Sequence, residues 1–136
     1  MKTFLYLHCN DLESARRFYS ELLGLTEVFF SAEDGTIGFQ VGTLQITVTA
    51  HADTVQVDGW AKQLGWKGGS TPTPSWGIEY SPSGFRRAVE AARTSRVDTH
   101  DSEPVWVGYW SFPVRDPMGY TVEISTAERC AWPPSN

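Results

Sequence analysis

Residues 3–25 read TFLYLHCNDLESARRFYSELLGL, and the way this stretch divides decides the fold. Residues 3–9 are aromatic and aliphatic and end at two turn formers, Asn10 and Asp11, which marks a strand. A period of two puts Phe4, Tyr6 and His8 on one face and Leu5, Leu7 and Cys9 on the other. From Leu12 the period changes. Leu12, Ala15, Tyr19 and Leu22 recur at helical spacing, with Phe18 and Leu23 widening the stripe. Asn10 or Asp11 can cap this helix, because their side chains accept the free backbone N–H groups of its first turn. Gly24 supplies the left-handed residue that ends it. Strands are expected at 26–31, 36–41 and 44–50, punctuated by Gly35 and Gly42. The order is β-α-β-β-β.

The same order recurs further along. Residues 75–80 read as a strand, and 84–96 as a helix with Phe85, Val89 and Ala92 on one face. Residues 97–103 read as a weak strand, 105–114 as a strong one and 120–126 as the last. That last strand follows a turn, Asp116-Pro117-Met118-Gly119, within RDPMGYTVEIS at 115–125. Between the modules, 51–74 is rich in Gly, Thr and Pro and carries Trp60 and Trp66; GWKGGSTPTP at 65–74 is its most linker-like part. Residues 55–64 within it read as a short helix or an extended arm.

The chain of 136 residues fits one domain: module one about 1–50, linker about 51–74, module two about 75–126 and tail 127–136. With 40% hydrophobic and 20% charged residues it can bury a core. A net charge of −5 argues against a nucleic-acid surface. No apolar run approaches the roughly 18 residues that span a bilayer, so no membrane partner is expected. MKTFLYLHCND lacks the long apolar stretch and cleavage site of a signal peptide. The two cysteines, Cys9 and Cys130, fit a reducing cytoplasm better than a disulfide framework. Six tryptophans are many for so short a chain.

DLESARRFYSELLGL after a first strand, a second strand opening at Trp76-Gly77-Ile78-Glu79-Tyr80, and FPVRDPMGYTVEIS at 112–125 together resemble the vicinal oxygen chelate superfamily. Its members include glyoxalase I, bleomycin-resistance proteins and extradiol dioxygenases. The resemblance covers nearly all of the chain apart from the linker and tail. It implies an α+β fold, two tandem βαβββ modules forming a cupped mixed sheet with helices on the outside. It is specific for fold and weak for activity, since such folds host many chemistries.

In metal-dependent members, four strand positions ligate a divalent ion. Carried over, these fall on Phe4, seven residues before Asp11, then on Gln45, on Ser75 (beside Trp76) and on Glu123. Phe4 has no donor atom, an amide such as Gln45 is a feeble ligand, and only Glu123 is the expected type. No cofactor is therefore expected; a divalent metal, if any, would use Glu123, Gln45 and His8. By resemblance to glutathione-using relatives, His8 contacts a ligand, with a histidine hydrogen-bonded on a half-buried sheet face as the plainer reading. Glu79, four residues beyond Ser75, is either a partner to His8 across the pseudo-twofold or a solvated carboxylate. Glu123 lies among Thr121 and Ser125, as on any strand with one wet face. A lone carboxylate in a partly dry cup would tend to a raised pKa and suit a general base. His51 and His100 read as surface residues.

Residues 103–112 carry Trp106, Gly108, Trp110 and Phe112 on one side and Tyr109 on the other. With Phe4, Tyr6 and one of Trp60, Trp66 or Trp76, they would line a cup with rings that stack on planar ligands; otherwise such rings pack helix on sheet or fill a dimer interface. The expected function is a metal-independent small-molecule-binding protein, of antibiotic-resistance or carrier type, that sequesters or carries a planar or aromatic ligand. Phe4, Tyr6, Trp106 and Trp110 would stack, and His8, Gln45, Glu79 and Glu123 would hydrogen-bond. The alternatives are a lyase, isomerase or dioxygenase with Glu123 as catalytic base or metal ligand, and a structural dimer module with a filled cavity. By resemblance the protein is a homodimer.

Overall fold

The computed structural model describes residues 1–133, so the end of the tail, 134–136, lies outside the described residues. Two compact units divide the chain, residues 1–56 and 57–136. Both are built on the same strand plan.

In the first unit β1 (Thr3–Cys9) runs into α1 (Leu12–Arg16), which widens into a π-helical segment (Arg17–Leu22) before β2 (Thr26–Ser31), β3 (Thr36–Val41) and β4 (Leu44–Ala50). Asp11 is the cap, accepting the Glu13 N–H at 3.1 Å. The π turn is where the expected single helix departs from regularity. Phe18, Tyr19, Leu22 and Leu23 are all buried, and the wider turn, closed by Leu23 N–H to Phe18 C=O at 2.9 Å, spreads that broad apolar stripe over the sheet. Gly24, at φ +78°, ends it. The strand order is β1-β4-β3-β2, with β1 parallel to β4 and Phe4 opposite Gln45. Leu7, Cys9, Ile37, Phe39, Ile46 and Val48 are buried with the helix stripe, and the Tyr19 and Phe39 rings meet at 5.4 Å. A buried side chain of this size contributes about 1.5–3 kcal/mol. The edge strand β2 carries a bulge between Glu27 and Phe29, which discourages pairing with another chain.

The second unit repeats the plan as β5 (Trp76–Glu79), α2 (Pro82–Thr94), β6 (Val105–Trp106), β7 (Trp110–Arg115) and β8 (Thr121–Thr126), ordered β5-β8-β7-β6. Each module thus has its own four-stranded mixed sheet. Ser81 caps α2 by accepting the Gly84 N–H at 3.3 Å, and Pro82 occupies the first turn, where its missing N–H costs nothing. Ile78, Phe112, Val114, Val122 and Ile124 are buried with Phe85, Ala88, Val89 and Ala92 of α2.

Two strand expectations need correction here. Residues 97–103 form no strand, only an isolated bridge from Thr99 to Val114. Residues 105–114 are not one strand either. Gly108 at φ +99° turns the chain between β6 and β7, with Val107 N–H bonded to Tyr109 C=O at 2.9 Å. The tail packs too. Trp132 is buried, edge-on to Phe85 at 6.2 Å and beneath the Arg93 guanidinium at 5.9 Å.

Residues 57–71 are an irregular arm laid over the second sheet, the extended alternative of the two expected. Its start is bound by Val57 N–H to Met118 C=O at 2.7 Å. Gly119 fits there because it adopts φ +92° and because a Cβ would collide with the Val57 carbonyl. Ala61 N–H donates to Thr121 Oγ1 at 2.9 Å and Gly65 N–H to Ser111 Oγ at 3.4 Å. Lys62 and Gly68 pair as an antiparallel bridge, so the arm doubles back as a small hairpin with Trp66 near its tip.

Candidate functional site

Strand alternation puts Thr121, Glu123 and Ser125 on the face of the second sheet that turns away from α2. Gly77 of β5 is the register partner of Glu123, and Ser75 precedes that strand. The position directly beside Glu123 is therefore a glycine. Its missing side chain leaves room, since a Cβ would sit 3.4 Å from Glu123 Oε1.

Glu123 is not the lone carboxylate expected. The Lys62 ammonium, brought in by the arm, donates to Oε2 at 2.7 Å. The Tyr109 hydroxyl donates to the same carboxylate at 2.9 Å to Oε2 and 3.2 Å to Oε1. Ser111 Oγ also donates to Oε2 in a short hydrogen bond. The pair is well shielded, with side-chain exposures of 15% for Lys62 and 10% for Glu123. Burial pushes the Tyr109 hydroxyl up to about 12, with the hydrogen bond to Glu123 and its negative charge adding to the effect.

Beside this cluster opens a pocket of about 680 Å³ whose walls include Lys62, Trp66, Trp76, Glu79, Tyr109 and Glu123. That volume suits a small organic ligand. The Trp66 and Tyr109 rings lie 5.9 Å apart at 62°, and Trp66 is 92% exposed, so its ring face is available. Lys67 and Glu79 also line the pocket and form no ion pair among the described residues.

The structure thus brings Glu79 and Glu123 to one pocket. Trp106 and Trp110 lie elsewhere. Register pairs Trp110 with Thr126 and with Trp106, on the opposite face from Glu123. Trp110 is buried, its indole N–H donates to the Arg129 carbonyl at 2.9 Å, and the Arg129 guanidinium sits 4.7 Å and 5.2 Å from the Trp106 and Trp110 ring centres. They are packing residues of the C-terminal turn. Trp60 stacks edge-on with His100 at 5.2 Å under Arg115 at 4.9 Å. His100, expected on the surface, is half-buried and bonded to Asp101 at 2.6 Å. His51 is exposed as expected.

In the first unit, Phe4, Tyr6, His8 and Gln45 share the sheet face away from the helix. Phe4 and Tyr6 are 49% and 70% exposed and their rings stack at 6.3 Å. His8 meets His51 edge-on at 5.9 Å, and the Gln45 amide donates to Thr47 at 3.3 Å.

The donor set around Glu123 does not suit a divalent ion. Its immediate partners are an ammonium and two hydroxyls that already donate to it, and among the described residues no group of three or more His, Cys, Asp or Glu converges. Sequence reading missed Lys62, Tyr109 and Ser111 as site residues, while Trp66 and Trp76, two of its candidate cup rings, do line the pocket. Alternation about Glu123 points to Ser111 once the hairpin register is fixed; nothing local points to Lys62, 61 residues away.

No family model and no curated protein sequence matches the chain. Solved structures do. A glyoxalase/dioxygenase from Nostoc punctiforme superposes with a TM-score of 0.74 at 17% identity, over 95% of this chain and 92% of that one. The fosfomycin resistance protein FosX from Mesorhizobium loti gives 0.65 at 14% identity, over 95% and 92%. Lactoylglutathione lyase from Agrobacterium tumefaciens gives 0.62 at 17% identity, over 93% and 92%. No helix among the described residues is long and apolar enough to cross a membrane. Two βαβββ modules in this order, matched nearly end to end by such neighbours, give the chain the fold of the vicinal oxygen chelate superfamily.

Proposed function

We propose that the protein is a metal-independent small-molecule-binding protein that holds a planar or aromatic ligand in the pocket beside Glu123, sequestering it rather than transforming it. The observation that carries this reading is the Lys62–Glu123 pair at 2.7 Å. In a metal-dependent relative the carboxylate would face a cation from solution; here the chain supplies its own, on a tether. Ligand stacking falls to Trp66 and Tyr109, and polar contact to Lys62, Glu79 and Glu123. Phe4, Tyr6, His8 and Gln45 form a second exposed aromatic and polar surface of the kind a ligand or partner subunit would cover. A resistance role is supported by the names of two neighbours, the fosfomycin resistance protein and a glyoxalase/bleomycin resistance protein/dioxygenase. The reading includes a homodimer, supported by the exposed Phe4, Tyr6, Phe29 and Phe30, and a cytoplasmic location, supported by a content of only two cysteines, too few for a disulfide framework.

The test is titration of the protein with a varied set of planar aromatic compounds, followed by tryptophan fluorescence. Saturable quenching that Trp66→Ala weakens supports the reading. No response across the set overturns it in favour of a structural module. Substrate turnover would favour the lyase, isomerase or dioxygenase alternative.

A further inference from the structure

The Lys62–Glu123 pair has unused hydrogen-bonding capacity on both members, and both members line the pocket. An ammonium has three N–H donors. Lys62 spends two, on Glu123 Oε2 at 2.7 Å and on the Gln63 carbonyl at 2.7 Å. The third has no partner among the described residues. On Glu123 the donors crowd onto one oxygen. Oε2 takes Lys62, Ser111 and the shorter arm of the Tyr109 bond; Oε1 takes only the longer arm of that same single proton, at 3.2 Å. Oε1 lies on the Gly77 side, where the neighbouring strand position carries no side chain. A spare donor therefore sits next to an acceptor with spare capacity at the floor of a pocket with aromatic walls.

We propose that this floor reads the edge of a cyclic amide: a planar ring system with a carbonyl oxygen next to an N–H. The carbonyl accepts the third N–H of Lys62, the ring N–H donates to Glu123 Oε1, and the ring lies against Trp66 and Tyr109. Charge balance favours the same class. The ion pair is neutral as a unit, so a neutral ligand with both a donor and an acceptor leaves neither charge unmatched, whereas a plain carboxylate ligand would meet Glu123. The proposal names the ligand class of the pocket and rests on the binding reading above.

The test uses isothermal titration calorimetry of the full chain with 2-quinolinone, its N-methyl derivative and quinoline. N-methylation removes the donor; quinoline lacks both the carbonyl and the N–H. The expected result is binding of 2-quinolinone at least about tenfold tighter than either analogue. The preference over quinoline should shrink in Lys62→Met, which removes the donor to the carbonyl, and the preference over the N-methyl derivative should disappear in Gly77→Ala. The second variant places a methyl group in ordinary contact with Oε1 at 3.4 Å, so it covers the acceptor while leaving the fold intact. Equal binding of all three compounds overturns the cyclic-amide assignment and leaves the aromatic pocket standing. A preference untouched by Gly77→Ala also overturns it, since the N–H would then be read elsewhere. Binding of none overturns both readings.

Discussion

Lys62 Nζ lies 2.7 Å from Glu123 Oε2 across 61 residues of sequence, and this pair organises the face of the second unit's sheet that lies beneath the arm. The arm carries the cation, β8 carries the carboxylate, and β7 with its preceding turn adds Ser111 and Tyr109. Removing one partner of so shielded a pair leaves the other charge unmatched. Lys62→Met should destabilise the protein by about 3 kcal/mol, and Lys62→Met combined with Glu123→Gln should recover most of that loss. Urea denaturation of the two variants checks this; a Lys62→Met protein as stable as the parent would show that the pair is only a surface contact.

Tyr109 gives the site a pH signature. Its hydroxyl is held up to about 12 by burial and by Glu123, and Tyr80 is held up to about 12 by burial. Raised values favour the protonated phenol in the folded state. Their contribution is complete below the ordinary tyrosine value of about 10 and is lost as pH rises from there through about 12. Ultraviolet titration of phenolate should show a high-pH component that Tyr109→Phe and Tyr80→Phe each reduce by one group. If Tyr109→Phe removes a component titrating near 10 instead, the hydroxyl is not engaged with Glu123.

The two tryptophans on opposite faces of the second unit should behave oppositely. Trp66 is 92% exposed and Trp110 is 7% exposed. Trp66→Ala should change stability by no more than about 0.5 kcal/mol while weakening aromatic ligands. Trp110→Ala should cost about 3–5 kcal/mol through the cavity it leaves. Thermal melts and fluorescence titrations on the same samples separate the two effects; a large stability loss in Trp66→Ala would place its ring in the core.

Gly119 ties the turn to the arm. It combines φ +92° with a contact to the Val57 carbonyl that leaves no room for a methyl group. Gly119→Ala should cost about 2 kcal/mol or more, and limited proteolysis should then cut the arm between 57 and 71 faster than in the parent. An unchanged digestion pattern would mean that the arm does not depend on this seat.

The strands of the first module were legible because alternation is a local signal. Phe4, Tyr6 and His8 face away from Leu7 and Cys9 in the structure as they do in the pattern, and β2, β3 and β4 run over the expected residues. Legibility failed where one residue overrode the pattern. The apolar run at 105–114 hides the turn at Gly108, because Val107 and Tyr109 on either side are good strand formers. Alternation alone separates Trp106 and Trp110 from Tyr109, but it does not say that the tryptophans take the packed face and that Tyr109 meets Glu123. The arm was the least legible part. Its Gly, Thr and Pro content reads as a linker, and its hold on the sheet comes from backbone groups meeting Thr121 and Ser111 far along the chain. Composition carries no trace of such contacts. Glu123 was found by resemblance, and its partner was not, since Lys62 stands where the relatives' pattern has no ligand position.

A tethered ammonium, not a solution cation, satisfies Glu123. Metal titration of the purified protein by calorimetry, after chelation and dialysis, tests it most directly. The expected result is no stoichiometric binding of zinc, manganese or nickel at micromolar concentrations. One ion bound per chain, and lost in Glu123→Ala, would contradict it.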